Sequence, residues 1–96
     1  MKVIFHRRCQ KFIQKITDKK LKGILKEEVD AIISDPLKGK LLEHPFRKYE
    51  IRSGGFDYKG NSYRIAYTMV KEKKEIVFLV IDSRENFYEK LKNATK

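Results

Sequence analysis

The sequence predicts an α+β fold: a small antiparallel sheet of about four strands, an N-terminal helical hairpin on one face and a short C-terminal helix. Two observations carry this class. Apolar residues recur at helical spacing through the first third of the chain and change to strand-like alternation in the second half. No repeat, low-complexity tract or Pro/Gly/Ser linker divides the 96 residues, so residues 1–96 read as one domain in the order β-α-α-β-β-β-α.

Each element has its own signal. Lys2–His6 reads as a short strand. From Arg7 the period changes, and Cys9, Phe12, Ile13 and Ile16 recur on one helical face while Arg8, Lys11 and Lys15 point elsewhere. Thr17 and Asp18 break and recap the chain. Leu21, Ile24, Leu25, Val29, Ile32 and Ile33 form a second amphipathic stripe, ended by Asp35-Pro36. A polar loop is expected around Pro36–Pro45, then extended chain over 47–52, with Gly54-Gly55 permitting a bulge or kink. Phe56 and Tyr58 alternate with polar residues up to a hairpin tip at Gly60-Asn61. Tyr63, Ile65 and Tyr67 alternate with Arg64, Ala66 and Thr68 in the returning strand. A charged turn, Lys71–Lys74, leads to the apolar run Ile76–Ile81, expected of a central strand covered on both faces. Asp82 with Glu85 three residues later resembles a capping box for a closing helix whose buried side is expected to be Phe87, Tyr88 and Leu91.

Charge narrows the function classes. Twenty-three Lys and Arg against thirteen Asp and Glu give a net +10 and a pI near 9.8. Residues 1–52 carry +7 of it and residues 53–96 carry +3. Such an excess steers the chain toward polyanions, with RNA the best candidate, and exceeds what solubility alone requires. One cysteine, Cys9, cannot form an internal bridge and sits on an apolar stripe, which fits core packing and a reducing compartment. Without a signal-peptide pattern or an apolar run of membrane-spanning length, the expected location is the cytoplasm.

Candidate site residues follow from the strand alternation. Arg64 shares a face with Ala66 and Thr68; with a Gly60-Asn61 tip, Asp57 lies opposite Arg64 and Lys59 projects from the same face. A cationic sheet face bordered by aromatics suits a phosphodiester backbone with stacked bases. The alternative is a solvated face with Arg64 paired to Asp57. His44, beside Pro45, is an acid/base candidate because an imidazole both gives and takes a proton at neutral pH. His6 reads as structural. One cysteine and two distant histidines show no metal-ligand spacing.

The segment Y-R-I-A-Y at 63–67, the run I-V-F-L-V-I at 76–81, R-E-N-F-Y-E-K-L at 84–91 and the loop D-P-L-K-G-K-L-L at 35–42 resemble the RelE/ParE toxin superfamily. With the element order, the resemblance covers nearly the whole chain. It implies the toxin of a type II toxin–antitoxin pair. In RelE-like members it implies a metal-independent mRNA endonuclease that acts in the ribosomal A site and leaves a 2′,3′-cyclic phosphate. On that resemblance Arg64 stabilises transition-state charge, Arg84 binds phosphate or donates toward the leaving group, and Tyr88 stacks on a base or orients the 2′-hydroxyl. The family's strand lysines and arginines find two alignments: Arg52 with Glu50 in a basic position, or Asp57 in that position with Lys59 nearby. Arg52, Lys59 and Lys48 are thus RNA-binding candidates, and Glu50, Asp57 and His44 are acid/base candidates. The implied partners are a cognate antitoxin, mRNA and the ribosomal A site, with no cofactor, metal or membrane. A ParE-like gyrase-binding toxin without nuclease activity and a non-catalytic RNA-binding module remain the alternatives.

Overall fold

The computed structural model describes residues 1–96. Strand β1 (Lys2–Phe5) runs into helix α1 (Arg7–Lys15) through His6, whose Nδ1 accepts the Arg8 amide and caps the helix. Helix α2 (Lys19–Ser34) starts in the same way: Asp18 Oδ1 accepts the amides of Lys20 and Leu21 at 2.9 and 3.2 Å. The helix stops before Asp35-Pro36, where proline disfavours a helical residue ahead of it. Four strands follow: β2 (Lys40–Leu41), β3 (Arg52–Tyr58), β4 (Asn61–Val70) and β5 (Glu75–Ser83). Helix α3 (Arg84–Ala94) closes the chain.

The sheet has five strands in the order β1-β5-β4-β3-β2, with β1 parallel to β5 and every other pair antiparallel. The expected four-stranded antiparallel sheet is therefore a five-stranded mixed one, still α+β. A parallel pair joins strands remote in sequence, and only a long crossover can connect them, so the local pattern carries no trace of it. The two-residue β2 lies within the stretch expected to be a loop. The stretch expected to be extended over 47–52 begins with a 3-10 turn, Arg47–Tyr49, and β3 starts only at Arg52.

Both faces of the sheet are covered. Against one face, α1 and α2 bury Cys9, Leu25, Val29 and Ile32 with Ile65, Tyr67, Ile76, Phe78 and Ile81. Against the other, α3 buries Phe87 and Leu91 with Ala66, Val80, Leu42, Phe46 and Ile51. The unbroken run of β5 follows from this and from a bulge. Phe78 pairs with Tyr67 and Val80 with Ala66, so Leu79 is an extra residue and the side-chain alternation reverses there. Ile76 and Phe78 thus face the helical hairpin, while Val80 and Asp82 face α3.

The Gly54-Gly55 pair does not carry the bulge expected of it, since β3 and β4 pair in unbroken register from Arg52 to Tyr58. These glycines permit close approach instead. A Cβ on Gly54 would stand 3.0 Å from Ile32 Cδ1, and one on Gly55 would stand 2.7 Å from Arg64 Nη1. The hairpin tip is Lys59-Gly60, both at positive φ, rather than Gly60-Asn61. Moving the tip by one residue moves each cross-strand partner by two and preserves the face. Asp57 therefore pairs with Ser62, and Arg64 faces Gly55. The capping box expected from Asp82 and Glu85 is absent: Ser83 is the N-cap, and Asp82 forms an ion pair with Lys90. No helix is long and apolar enough to cross a membrane.

Candidate functional site

The β3–β4 register gives Arg64 a neighbour without a side chain. Its guanidinium lies against Gly55, half-buried, at the floor of a groove of about 700 Å³ on the α3 side of the sheet. Register places Lys40 of β2 opposite Ser53, and Ser53 opposite Ala66, so these residues share that face with Arg64. The chain after β2 supplies Glu43, His44 and Pro45 to one wall, with a cis peptide between His44 and Pro45. From above, α3 contributes Tyr88 and Lys92, one helical turn apart on one stripe. Tyr88 is 46% exposed; its ring packs edge-on to Phe87 and tilts over Phe46 at 6.5 Å, which leaves an aromatic surface turned to the groove.

Of the residues predicted from sequence, Arg64, Tyr88 and His44 come together here. Arg84, the exposed first residue of α3, does not line the groove; it sits four residues before Tyr88 on the same stripe, about 6 Å up the axis. The other candidates lie elsewhere. Arg52 alternates to the opposite face, where it donates to the carbonyls of Gly39 (2.9 Å) and Leu37 (3.4 Å). Glu50 holds a left-handed turn next to Arg52, away from Arg64. Lys48 lies over the Tyr49 ring on the 3-10 turn, outside the groove. Asp57 accepts the Ser62 hydroxyl at 2.7 Å rather than pairing with Arg64. Lys59, at the hairpin tip, stands 3.8 Å from Asp18 at the junction of α1 and α2 and does not line the groove.

Three charged residues of the groove went unread in the sequence: Lys40, Glu43 and Lys92. Lys40 and Glu43 fall in a stretch that reads as a loop, and Lys92 is one of several lysines on a solvated helix. The one available signal was the i, i+4, i+8 spacing of Arg84, Tyr88 and Lys92. On β3, the two residues that face the groove, Ser53 and Gly55, carry no charge.

The buried thiol of Cys9 lies outside the groove. Burial pushes the Cys9 thiol up to about 12, and its Sγ donates to the Phe78 carbonyl. No group of three or more His, Cys, Asp or Glu side chains stands where it could hold a metal ion. The groove thus offers three cations, an imidazole, a carboxylate and an aromatic ring: a set suited to a phosphodiester and an adjacent base.

Comparison with known proteins agrees with the fold. A free-state variant of the E. coli toxin RelE with two arginines replaced by alanine superposes with a TM-score of 0.75 at 16% identity, over 98% of this chain and 93% of that one. The intact E. coli RelBE toxin–antitoxin complex gives 0.61 at 18% identity, over 83% and 92%. A search of curated protein sequences gives no match. Residues 3–92 match the family model described as the ParE-like toxin of type II bacterial toxin–antitoxin systems. With nearly the whole chain inside that match, and the fold shared with RelE, this chain belongs to the RelE/ParE superfamily of type II toxins.

Proposed function

We propose that the chain is an mRNA endoribonuclease that blocks translation, with the Arg64 groove as its active site. The observation that carries this reading is the convergence of Arg64, Lys40, Lys92, His44 and Tyr88 on one groove built from four separate parts of the chain. In the proposed step the 2′-oxygen of one nucleotide attacks its own 3′-phosphorus. The P–O2′ bond forms, the P–O5′ bond breaks, and a 2′,3′-cyclic phosphate and a 5′-hydroxyl result. The half-buried guanidinium of Arg64 takes the charge that develops on the phosphoryl oxygens, with Lys40 and Lys92 in the same groove. Tyr88 stacks on the neighbouring base. His44 and Glu43 are the groups of the groove able to accept the 2′-proton, and a cation or the imidazolium returns a proton to the 5′-oxygen. Arg84, one turn up the stripe, reaches the phosphate of the next nucleotide. No metal is invoked. The match to the RelBE complex supports a cognate antitoxin as protein partner, and action in the ribosomal A site is what the resemblance to RelE-like nucleases implies.

One observation favours a second reading. The groove-facing residues of β3 are Ser53 and Gly55, so the strand beside Arg64 adds no proton acceptor, and a ParE-like toxin that binds gyrase without cleaving needs none. The deciding experiment expresses the chain from a tight promoter and maps mRNA ends, alongside a gyrase supercoiling assay with purified protein. New 5′-hydroxyl ends paired with 2′,3′-cyclic phosphates, and unimpaired supercoiling, support the nuclease. Intact mRNA with blocked supercoiling overturns it.

A further inference from the structure

A second cationic groove lies on the other flank of α3. It measures about 270 Å³ and runs between α1 and α3 beside the C-terminal half of β5. Arg8, Lys11 and Lys15 line one wall at helical spacing, and Lys90 and Asn93 line the other. No carboxylate lines it. Helix α1 contains no acidic residue, and its three wall cations make no ion pair. Lys90 is the exception, held by the 5% exposed Asp82, and the Arg8 guanidinium donates to the Lys90 carbonyl, which ties the two walls together. The fold thus keeps four cations close together across two helices, where their mutual repulsion opposes packing.

We propose that this groove is a docking track for the phosphodiester backbone of RNA, separate from the Arg64 groove and divided from it by α3. Its make-up favours a nucleic acid over a protein. Protein interfaces take their energy from aromatic and apolar anchors in desolvated pockets. Here the apolar floor is Phe12 with Val80 and Ile81, and the last two are only 1–2% exposed, so little apolar area is open to a partner. A sugar-phosphate backbone needs cations and hydrogen-bond donors, and this groove has five such side chains. The contrast within the molecule sharpens the point. The groove between β1, α1 and α2 is lined by Val3, Phe5, Ile13, Leu25, Val29 and Ile33, with Lys22, Lys26 and Asp30 also lining it, and that one has the mainly apolar lining a protein segment requires. The choice of RNA over DNA rests on the proposed reading of the Arg64 groove, from which α3 presents Tyr88 and Lys92 on one flank and Lys90 and Asn93 on the other.

The test measures binding of a fluorescent single-stranded 2′-O-methyl oligonucleotide, which cannot be cleaved, over a range of salt. Wild-type protein is compared with Arg8→Gln/Lys11→Gln/Lys15→Gln, with Lys11→Gln/Lys15→Gln in case the triple variant folds poorly, and with Lys71→Gln/Lys73→Gln/Lys74→Gln, which changes the same charge on the β4–β5 turn. The groove triple is expected to weaken binding at least tenfold and to lower the slope of log Kd against log salt by about 2, at about 0.7 per phosphate contact on a single strand. The turn variant is expected to retain the wild-type slope. Equal losses in the two triples, or an unchanged slope in both groove variants, overturns the track. Displacement of the oligonucleotide by polyglutamate at lower charge concentration than by poly(U) also overturns it, in favour of an acidic protein. A wild type that cleaves no RNA while the groove variants lose affinity would count against the nuclease reading and leave the track standing.

Discussion

Arg64 sits in a place that only a glycine partner allows. Its guanidinium occupies the space a Cβ on Gly55 would fill, at 2.7 Å, and the same Cβ would stand 2.4 Å from the Tyr63 carbonyl. The two residues therefore separate into different predictions. Arg64→Ala removes a half-buried cation without touching the core, so RNA cleavage is expected to fall by about 10²–10³, as when one oxyanion donor is lost, while the thermal midpoint shifts by less than about 4 °C. Arg64→Lys is not expected to restore cleavage, because a point charge cannot reproduce the planar fork of donors. Gly55→Ala, by contrast, is expected to lose both activity and stability, at about 1–3 kcal/mol for overpacking, read from urea midpoints. Retained cleavage in Arg64→Ala would remove the arginine from the site. Histidine and tyrosine at 44 and 88 were identifiable from residue type and motif, whereas Lys40 and Lys92 were not, because a lysine in a lysine-rich sequence carries no positional information until the strands are paired.

At the scale of elements, two tyrosines hold the connections that deliver the site. Tyr67, fully buried, donates to the Pro36 carbonyl at 2.7 Å and accepts the Gly39 amide at 3.0 Å, and Arg52 reaches the Gly39 carbonyl from beside it. This clamp fixes the α2–β2 loop one residue before Lys40. Tyr67→Phe leaves that amide and carbonyl unpaired and is expected to cost about 1–3 kcal/mol, with faster hydrogen exchange at Gly39. Tyr58 makes the other tie: its hydroxyl donates to Asp18 Oδ2 at 2.7 Å, with Lys59 alongside, and so joins the β3–β4 tip to the cap of α2. The Tyr58 hydrogen bond, with the Leu21 amide and Lys59 adding to it, holds the Asp18 carboxyl below the ordinary aspartate range. A carboxyl whose folded pKa is depressed stabilises the fold fully above its unfolded pKa of about 3.9, and that contribution is lost as pH falls through the folded value. The difference in thermal midpoint between wild type and Asp18→Asn is thus expected to be constant from pH 7 to 5 and to shrink below about pH 4; a difference that grows in acid would exclude the tie. Elements with strong periodicity, α1, α2, β4 and α3, were legible in the sequence. Three features were not: the parallel β1–β5 pair, the two-residue β2 and the bulge at Leu79 are set by partners remote in sequence, and an apolar run reads alike with or without a bulge.

The whole molecule is a sheet clad on both sides, with the helical hairpin over one core cluster and α3 over the other, and its two cationic grooves both border α3. The fold positions its chemistry only while both layers are in place, and Cys9 offers a way to observe that. It is the lone cysteine, it has no exposed surface, and it sits in the cluster where α1 meets β5, with its thiol pushed up to about 12 by burial. The thiolate is the reacting form toward disulfide reagents, so native Cys9 is inert on two counts, access and ionisation. Labelling then requires α1 to leave the sheet. If that happens only when the whole core opens, the rate at pH 8 is expected to lie at least about 10³ below that of a cysteine in an unfolded peptide. It should also rise with urea along the slope of equilibrium unfolding, because the same surface is exposed in both processes. A rate independent of urea and within tenfold of the peptide would mean that α1 opens alone. In that case the cationic wall of the second groove would be a mobile one, and only α3 and the strands beneath it would hold the Arg64 groove in shape.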